Sequence, residues 1–237
     1  MKTTLIIKLL ASYSALLDKF KNFVLSKKFM KNGVDLKELK EVEKRILNGI
    51  KLENSFTDIK TVAAFDIAYS GKKYYCAGVV LDLENKNEVE QKIVEGEEII
   101  PYSPNLVAFR EGPAIIEAYR SLENKPDILI VKGNGALHPN KIGLASYVGV
   151  MLNKPCIGVT KELVFGKLDE DRIMFDCKIK GMAIKTKQFA NPVYVTPGHS
   201  INIETSVSVV SRLIVEPYKL PLPLHLAHKY VNKLKGN

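Results

Sequence analysis

No tryptophan occurs in this 237-residue chain, and cysteine occurs only three times. Cys76, Cys156 and Cys177 stand alone, with neither CxxC spacing nor an even count. That pattern argues against a disulfide framework and a structural zinc site. It fits small buried hydrophobes in a reducing, cytoplasmic compartment. Also missing is any run of about 18 uninterrupted apolar residues, so neither a membrane span nor a membrane partner is expected. Internal repeats and low-complexity tracts are absent as well.

What is present is a composition able to fold. With 46% hydrophobic and 26% charged residues, the chain can bury a full core, and its length favours one domain. A monomer is expected. The formal net charge is +9, unevenly placed: +6 over residues 1–60, −4 over 61–140 and +7 over 141–237. A polyanion suits such a chain, because lysines and arginines neutralise phosphates and release counterions. The acidic middle is where a divalent cation would bridge protein and phosphate.

Residues 1–29 form a basic leader with six lysines and one acid, Asp18. It is either a basic amphipathic arm or an extension upstream of a true start at Met30, and the second reading is preferred. The domain then runs over 30–237. A helical pattern spans Val34–Leu47, followed by strands at Thr61–Ser70, Tyr74–Leu83 and Val89–Ile100, which form an antiparallel meander. Helices at Glu111–Leu122 and Lys141–Leu152 alternate with strands at Asp127–Val131 and Cys156–Thr160, implying parallel pairing. Further strands are expected at Ile173–Ile179 and Val193–Thr196, a helix at Ile201–Ile214, and a last basic helix. The fold class is α/β: a mixed sheet with an antiparallel meander, then parallel strands and flanking helices. This is the layout of the ribonuclease H-like fold.

Asp66 is a lone carboxylate flanked by Val62, Ala63, Ala64, Phe65, Ile67 and Ala68. An ionised acid there needs a metal, a cation or strong hydrogen bonds; the blander reading is a strand aspartate paired to lysine. Glu111 lies in Phe-Arg-Glu-Gly-Pro, where Pro113 suits a first helical turn and places Glu111 at or beside the N-cap. Tyr102 stands between Pro101 and Pro104, a stiff segment suited to a wedge. Gly133 and Gly135, in Lys-Gly-Asn-Gly-Ala-Leu-His-Pro, let backbone approach a ligand closely, and His138 can bond a phosphate or base.

Taken in order, Phe65-Asp66-Ile67-Ala68-Tyr69, then PYSP, FREGP, GNGALHP, Gly158-Val159-Thr160-Lys161, Pro197-Gly198-His199 and Leu226-Ala227-His228 resemble the endonuclease V family. The resemblance runs from about Leu36 to His228. It implies the ribonuclease H-like fold and a Mg²⁺- or Mn²⁺-dependent endonuclease acting on DNA or RNA at deaminated adenine (inosine or deoxyinosine). Cleavage would fall on the 3′ side of the lesion. By the same resemblance Asp66 and Glu111 are metal-binding carboxylates and Tyr102 is the strand-separating wedge. Gly133, Gly135 and the backbone around Leu106 frame the flipped base. His138, Lys161 and His228 contact phosphate or assist the reacting groups.

One departure stands against these agreements. Where the family pattern has a third metal-binding aspartate followed by Gly-His-Gly, this chain has Lys132 followed by Gly133-Asn134-Gly135. A protonated lysine cannot ligate a hard cation and repels one. Asp127 is ~16 Å away along an extended strand and does not replace the missing aspartate. His225 stands where the family usually has arginine. Three accounts follow: a nuclease with a weakened or one-metal site, a catalytically impaired inosine-binding protein that kept the lesion pocket, and a small-molecule enzyme on the same scaffold. The first is favoured and the third is the weakest.

Overall fold

In the computed structural model of the chain, residues 36–98, 100–137 and 142–235 are described. The chain divides into two compact units, Met1–Lys44 and Arg45–Asn237. Of the first, only residues 36–44 are described, the opening of helix α1 (Leu36–Gly49). The leader 1–29, Met30 and the boundary expected there lie outside the described residues. The sheet and the site belong to the second unit.

Strands β1 (Thr61–Ser70), β2 (Lys73–Asp82) and β3 (Glu88–Glu97) form the expected antiparallel meander. The first turn holds only Gly71 and Lys72 between paired Ser70 and Lys73. Gly71 sits at φ +59°, the left-handed value that so short a hairpin requires at its first central position. β3 is an edge strand carrying Glu88, Glu90, Lys92, Glu95 and Glu97, and such charge discourages pairing with another chain.

Helix α2 (Val107–Ser121), strand β4 (Ile128–Val131), helix α3 (Leu144–Leu152) and strand β5 (Cys156–Thr160) follow in the expected alternation. β4 pairs parallel with both β1 and β5. Asp127, at the head of β4, accepts from Lys60 N, Thr61 N and Thr61 Oγ1 at 2.9, 2.9 and 3.1 Å. It therefore fastens the starts of two strands and takes no part in the site at their other ends.

The segment Ile173–Ile179, expected as one strand, is a hairpin. β6 (Lys167–Asp169), β7 (Arg172–Phe175) and β8 (Lys178–Ile184) form a second meander, and Asp176 and Cys177 make the β7–β8 turn at φ +53° and +55°. Cys177 is consequently exposed, whereas Cys76 and Cys156 are buried as expected. β9 (Val193–His199) returns antiparallel to β5 and completes a sheet ordered β3-β2-β1-β4-β5-β9-β8-β7-β6. Helix α4 (Ile203–Arg212) is capped by Asn202, whose side chain accepts from Thr205 N at 2.8 Å, and helix α5 (Leu222–Lys235) closes the chain.

Side chains of a strand alternate between faces. Val62, Ala64 and Ala68 of β1 face the core shared with α4 and α5, whose Val209, Leu224 and Ala227 are buried there. Asp66 has the same parity, so it is aimed toward α5. α2 packs on β1, β2 and β3, and α3 packs on β4, β5 and β9. The C-terminal ends of β4 and β5 thus open into loops bounded by three helices, where parallel α/β sheets gather ligands.

Candidate active site

Register brings the first group together. Phe65 of β1 pairs with Val131, the last residue of β4, so the next residues, Asp66 and Lys132, stand side by side. Asp66 is only 4% exposed. Its Oδ1 and Oδ2 each lie 3.1 Å from Lys132 Nζ, Oδ1 also accepts from Ile67 N at 2.9 Å, and Oδ2 is 2.6 Å from His228 Nδ1. The lysine and the histidine nitrogen are 3.4 Å apart. Asn232, one turn beyond His228 on α5, brings Nδ2 within 3.0 Å of Nε2. With the amide donating to Nε2, the ring hydrogen is on Nδ1 and is given to Asp66. A carboxylate this buried is stable only because both oxygens are engaged.

Glu111 is not at a cap. α2 begins at Val107 with Leu106 as its N-cap, and Pro113 lies inside the helix rather than in its first turn. Glu111 is therefore beyond the four N–H groups that a cap serves. Burial lifts its pKa to about 7, the Arg110 charge works against this, Asp66 adds to it and Lys132 opposes it. Asp66, Lys132 and Glu111 therefore form one electrostatic cluster. Arg110 ties it to the surface: its guanidinium pairs with Glu98, reaches Glu111 at 3.7 Å, and stacks 3.5 Å above the Tyr69 ring and 5.7 Å from that of Tyr102.

Tyr102, 67% exposed, stands at the rim of a cavity of about 230 Å³. Gly133, Asn134 and Gly135 line it with Leu144, Val164 and Phe165. Around Gly135 the cavity is shaped by backbone that tolerates no side chain. A Cβ on Gly135 would come 2.2 Å from Pro197 O and 2.6 Å from Pro197 C, and one on Gly158 would come 2.4 Å from Gly133 O. The loop is pinned to β9 by Gly135 N donating to Thr196 Oγ1 at 2.7 Å and Ala136 N donating to Pro197 O at 2.7 Å. Leu106 is not part of the lining, although its neighbours Asn105 and Val107 are. His138 lies outside the described residues.

Lys161 follows β5. Burial lowers its pKa, and the Lys132 charge pushes in the same direction while Asp66 opposes it. Asp66, Lys132 and His228 are thus in direct contact, Glu111 and Lys161 lie within electrostatic reach of Asp66 and Lys132, and Tyr102, Gly133 and Gly135 surround the adjoining cavity. His225 stacks on Tyr218 with ring centroids 3.8 Å apart. Sequence reasoning passed over Arg110, Thr196 and Asn232. Two signals were there to find them: Arg110 adjoins Glu111 within the quoted motif, and Asn232 is four residues after His228 on a helix.

The donor set does not fit a divalent cation as it stands. Both oxygens of Asp66 are engaged by Lys132 and His228. Among the described residues no group of three or more His, Cys, Asp or Glu is placed to hold a metal.

The family model described as Endonuclease V matches residues 43–229. An endonuclease V of Thermofilum pendens is 36% identical over 185 residues, covering 76% of this chain and 80% of the relative. The solved Bacillus subtilis endonuclease V superposes with a TM-score of 0.78 at 28% identity, over 86% of this chain and 94% of that one. Ciona intestinalis endonuclease V, solved with a 24mer DNA containing an inosine followed by a ribo-adenosine, shares the fold. Its TM-score is 0.73 at 22% identity, over 84% and 96% of the two chains.

Proposed function

The chain belongs to the endonuclease V family, and from that footing we propose that it cuts DNA or RNA on the 3′ side of deaminated adenine. It would act as a cytoplasmic monomer in repair or RNA processing. The observation that carries this reading is the joining of two sites: a cavity rimmed by Tyr102 adjoins the buried Asp66 and its half-buried neighbour Glu111. The Ciona complex, a protein of the same fold holding inosine-containing DNA, supports it. Among the described residues no helix is long and apolar enough to cross a membrane.

Tyr102 enters the stack beside the lesion, and the extruded base occupies the cavity against Gly133 and Gly135. Lys161 and Lys132 draw the adjoining phosphate toward Asp66 and Glu111. Glu111, held near pKa 7 by burial, accepts a proton from the attacking water as its oxygen bonds to phosphorus. Meanwhile the phosphorus–oxygen bond to the neighbouring sugar breaks, and that oxygen leaves as an alkoxide protonated by solvent water. The family resemblance implies Mg²⁺ or Mn²⁺. With Lys132 in place the residues make no ready site for either, so no step here passes through a divalent ion. Binding without cleavage, the alternative, draws no support from the relatives, which are endonucleases by name.

End-labelled strands that differ only in carrying inosine or adenine, offered as DNA and as RNA, test the proposal. Cutting confined to the inosine strands, and lost in Asp66→Asn, is the expected result. Equal cutting of inosine and adenine strands would overturn it.

A further inference from the structure

We propose that Lys132 is the resident cation of this site: its tethered ammonium holds Asp66 in the place a divalent ion would need. The inference rests on the reading that Asp66 and Glu111 together form the reactive centre. It concerns which cation that centre accepts, which the reading above leaves open.

Four observations converge on it. A carboxylate 4% exposed requires a positive partner, and Lys132 Nζ supplies one symmetrically, 3.1 Å from each oxygen. The remaining approach to Oδ2 is filled by His228 Nδ1 at 2.6 Å, which Asn232 holds from behind. The lysine's backbone is not free to withdraw: Lys132 N donates to Phe65 O at 3.4 Å, and Gly133 N to Val131 O at 3.0 Å. Lys161 adds a second ammonium close enough to feel Lys132. A dication entering here would meet two lysines and only two carboxylates, one already neutralised. Like charges a few ångströms apart in a poorly hydrated place repel strongly. The lysine side chain is about a third exposed, 32%, so removing its charge opens a route to Asp66 from solvent.

Metal binding without nucleic acid tests this directly. Mn²⁺ is titrated into the whole protein and free Mn²⁺ is read by electron paramagnetic resonance, for the natural chain, Lys132→Met, Lys132→Asp, and Lys132→Asp combined with Asp66→Asn. Thermal melts with and without Mg²⁺ confirm that each is folded. The natural chain is expected to leave millimolar Mn²⁺ free and to melt at the same temperature with or without Mg²⁺. Lys132→Asp is expected to bind at least tenfold more tightly and to gain melting temperature with Mg²⁺, and the double variant to lose both gains. Lys132→Met, which keeps the stem and removes the charge, gives an intermediate gain and decides the matter should Lys132→Asp fail to fold. A natural chain that binds Mn²⁺ as tightly as these variants overturns the proposal. So does a folded Lys132→Met that gains nothing when Lys132→Asp is not folded. Because no strand is present, failure to cut inosine strands leaves this result untouched, and the reverse also holds.

Discussion

At Asp66 the protein surrounds a carboxylate with movable side chains, whereas at Gly135 it surrounds backbone with other backbone. Lys132, just past the end of β4, and His228 of α5 reach Asp66 with side chains about one-third exposed, so a different side chain at either position has solvent to turn into. Gly135 has Pro197 O and C at 2.2 and 2.6 Å from where a Cβ would be, and neither atom can rotate away. The difference teaches which part of a binding-and-cutting site can drift. Charge at the carboxylates is set by single side chains, so a lysine can stand where a carboxylate is expected. At Gly135 the cavity is set by main-chain packing, so that glycine cannot change alone.

The largest effect expected from this contrast comes from Gly135→Val. The loop must leave β9, breaking the bonds to Thr196 and Pro197 and closing the cavity. Preference for inosine over adenine strands should fall roughly a hundredfold, equivalent to about 2.7 kcal/mol. Overpacking of this kind also costs about 1–3 kcal/mol of stability. Competition binding with matched strands, beside urea unfolding, measures both. A Gly135→Val protein that binds and unfolds like the natural one would erase the contrast.

The two regions should also answer pH with opposite signs. Glu111 is raised by burial from 4.5 to about 7, so between those values the folded protein keeps a proton that the unfolded chain releases. Its contribution to stability therefore falls as pH rises from 4.5 to 7. His199, on the strand that backs the cavity, is lowered from 6.5 to about 4, chiefly by burial and further by the Lys51 charge. The unfolded chain takes up that proton first, so its contribution falls as pH drops from 6.5 to 4. Each slope is bounded at about 1.4 kcal/mol per pH unit. Urea unfolding of Glu111→Gln and His199→Gln against the natural chain, from pH 4.5 to 7, should give difference curves of opposite slope. Curves of the same sign would count against the separation.

Much of this was legible in the sequence, for reasons that follow the same divide. Apolar strands with short turns marked the meander and the parallel pairs, because period and glycine punctuation are local signals. Ile173–Ile179 hid a hairpin because its turn is Asp176-Cys177, left-handed at both positions without the glycine that normally announces it. Pro113 pointed to a helix start at Glu111, four residues late, since Leu106 caps α2 with no side-chain bond and leaves no residue signature. Asp66, Lys132 and His228 were each singled out, but their meeting depends on the β1–β4 register and on α5 crossing that face. Thr196 was missed because its task, holding Gly135 N, exists only once β9 returns antiparallel to β5.

Tyr102→Ala should have the smallest effect, and its pattern matters more than its size. The ring is 67% exposed, and the Arg110 guanidinium lies 5.7 Å from its centre. Truncation leaves no buried void, so stability should stay within about 0.5 kcal/mol of the natural value. A wedge acts by filling the gap left by an extruded base, while lysines such as Lys161 supply attraction blind to sequence. Preference for inosine strands should therefore drop about fivefold, somewhat less than a full aromatic–base stack at ~1–3 kcal/mol, with binding to lesion-free strands changed less than about twofold. Tyr102→Phe keeps the stacking face and should retain the preference. Equal losses on both kinds of strand would make Tyr102 a general contact, and the cavity would then have to select its base by main-chain shape alone.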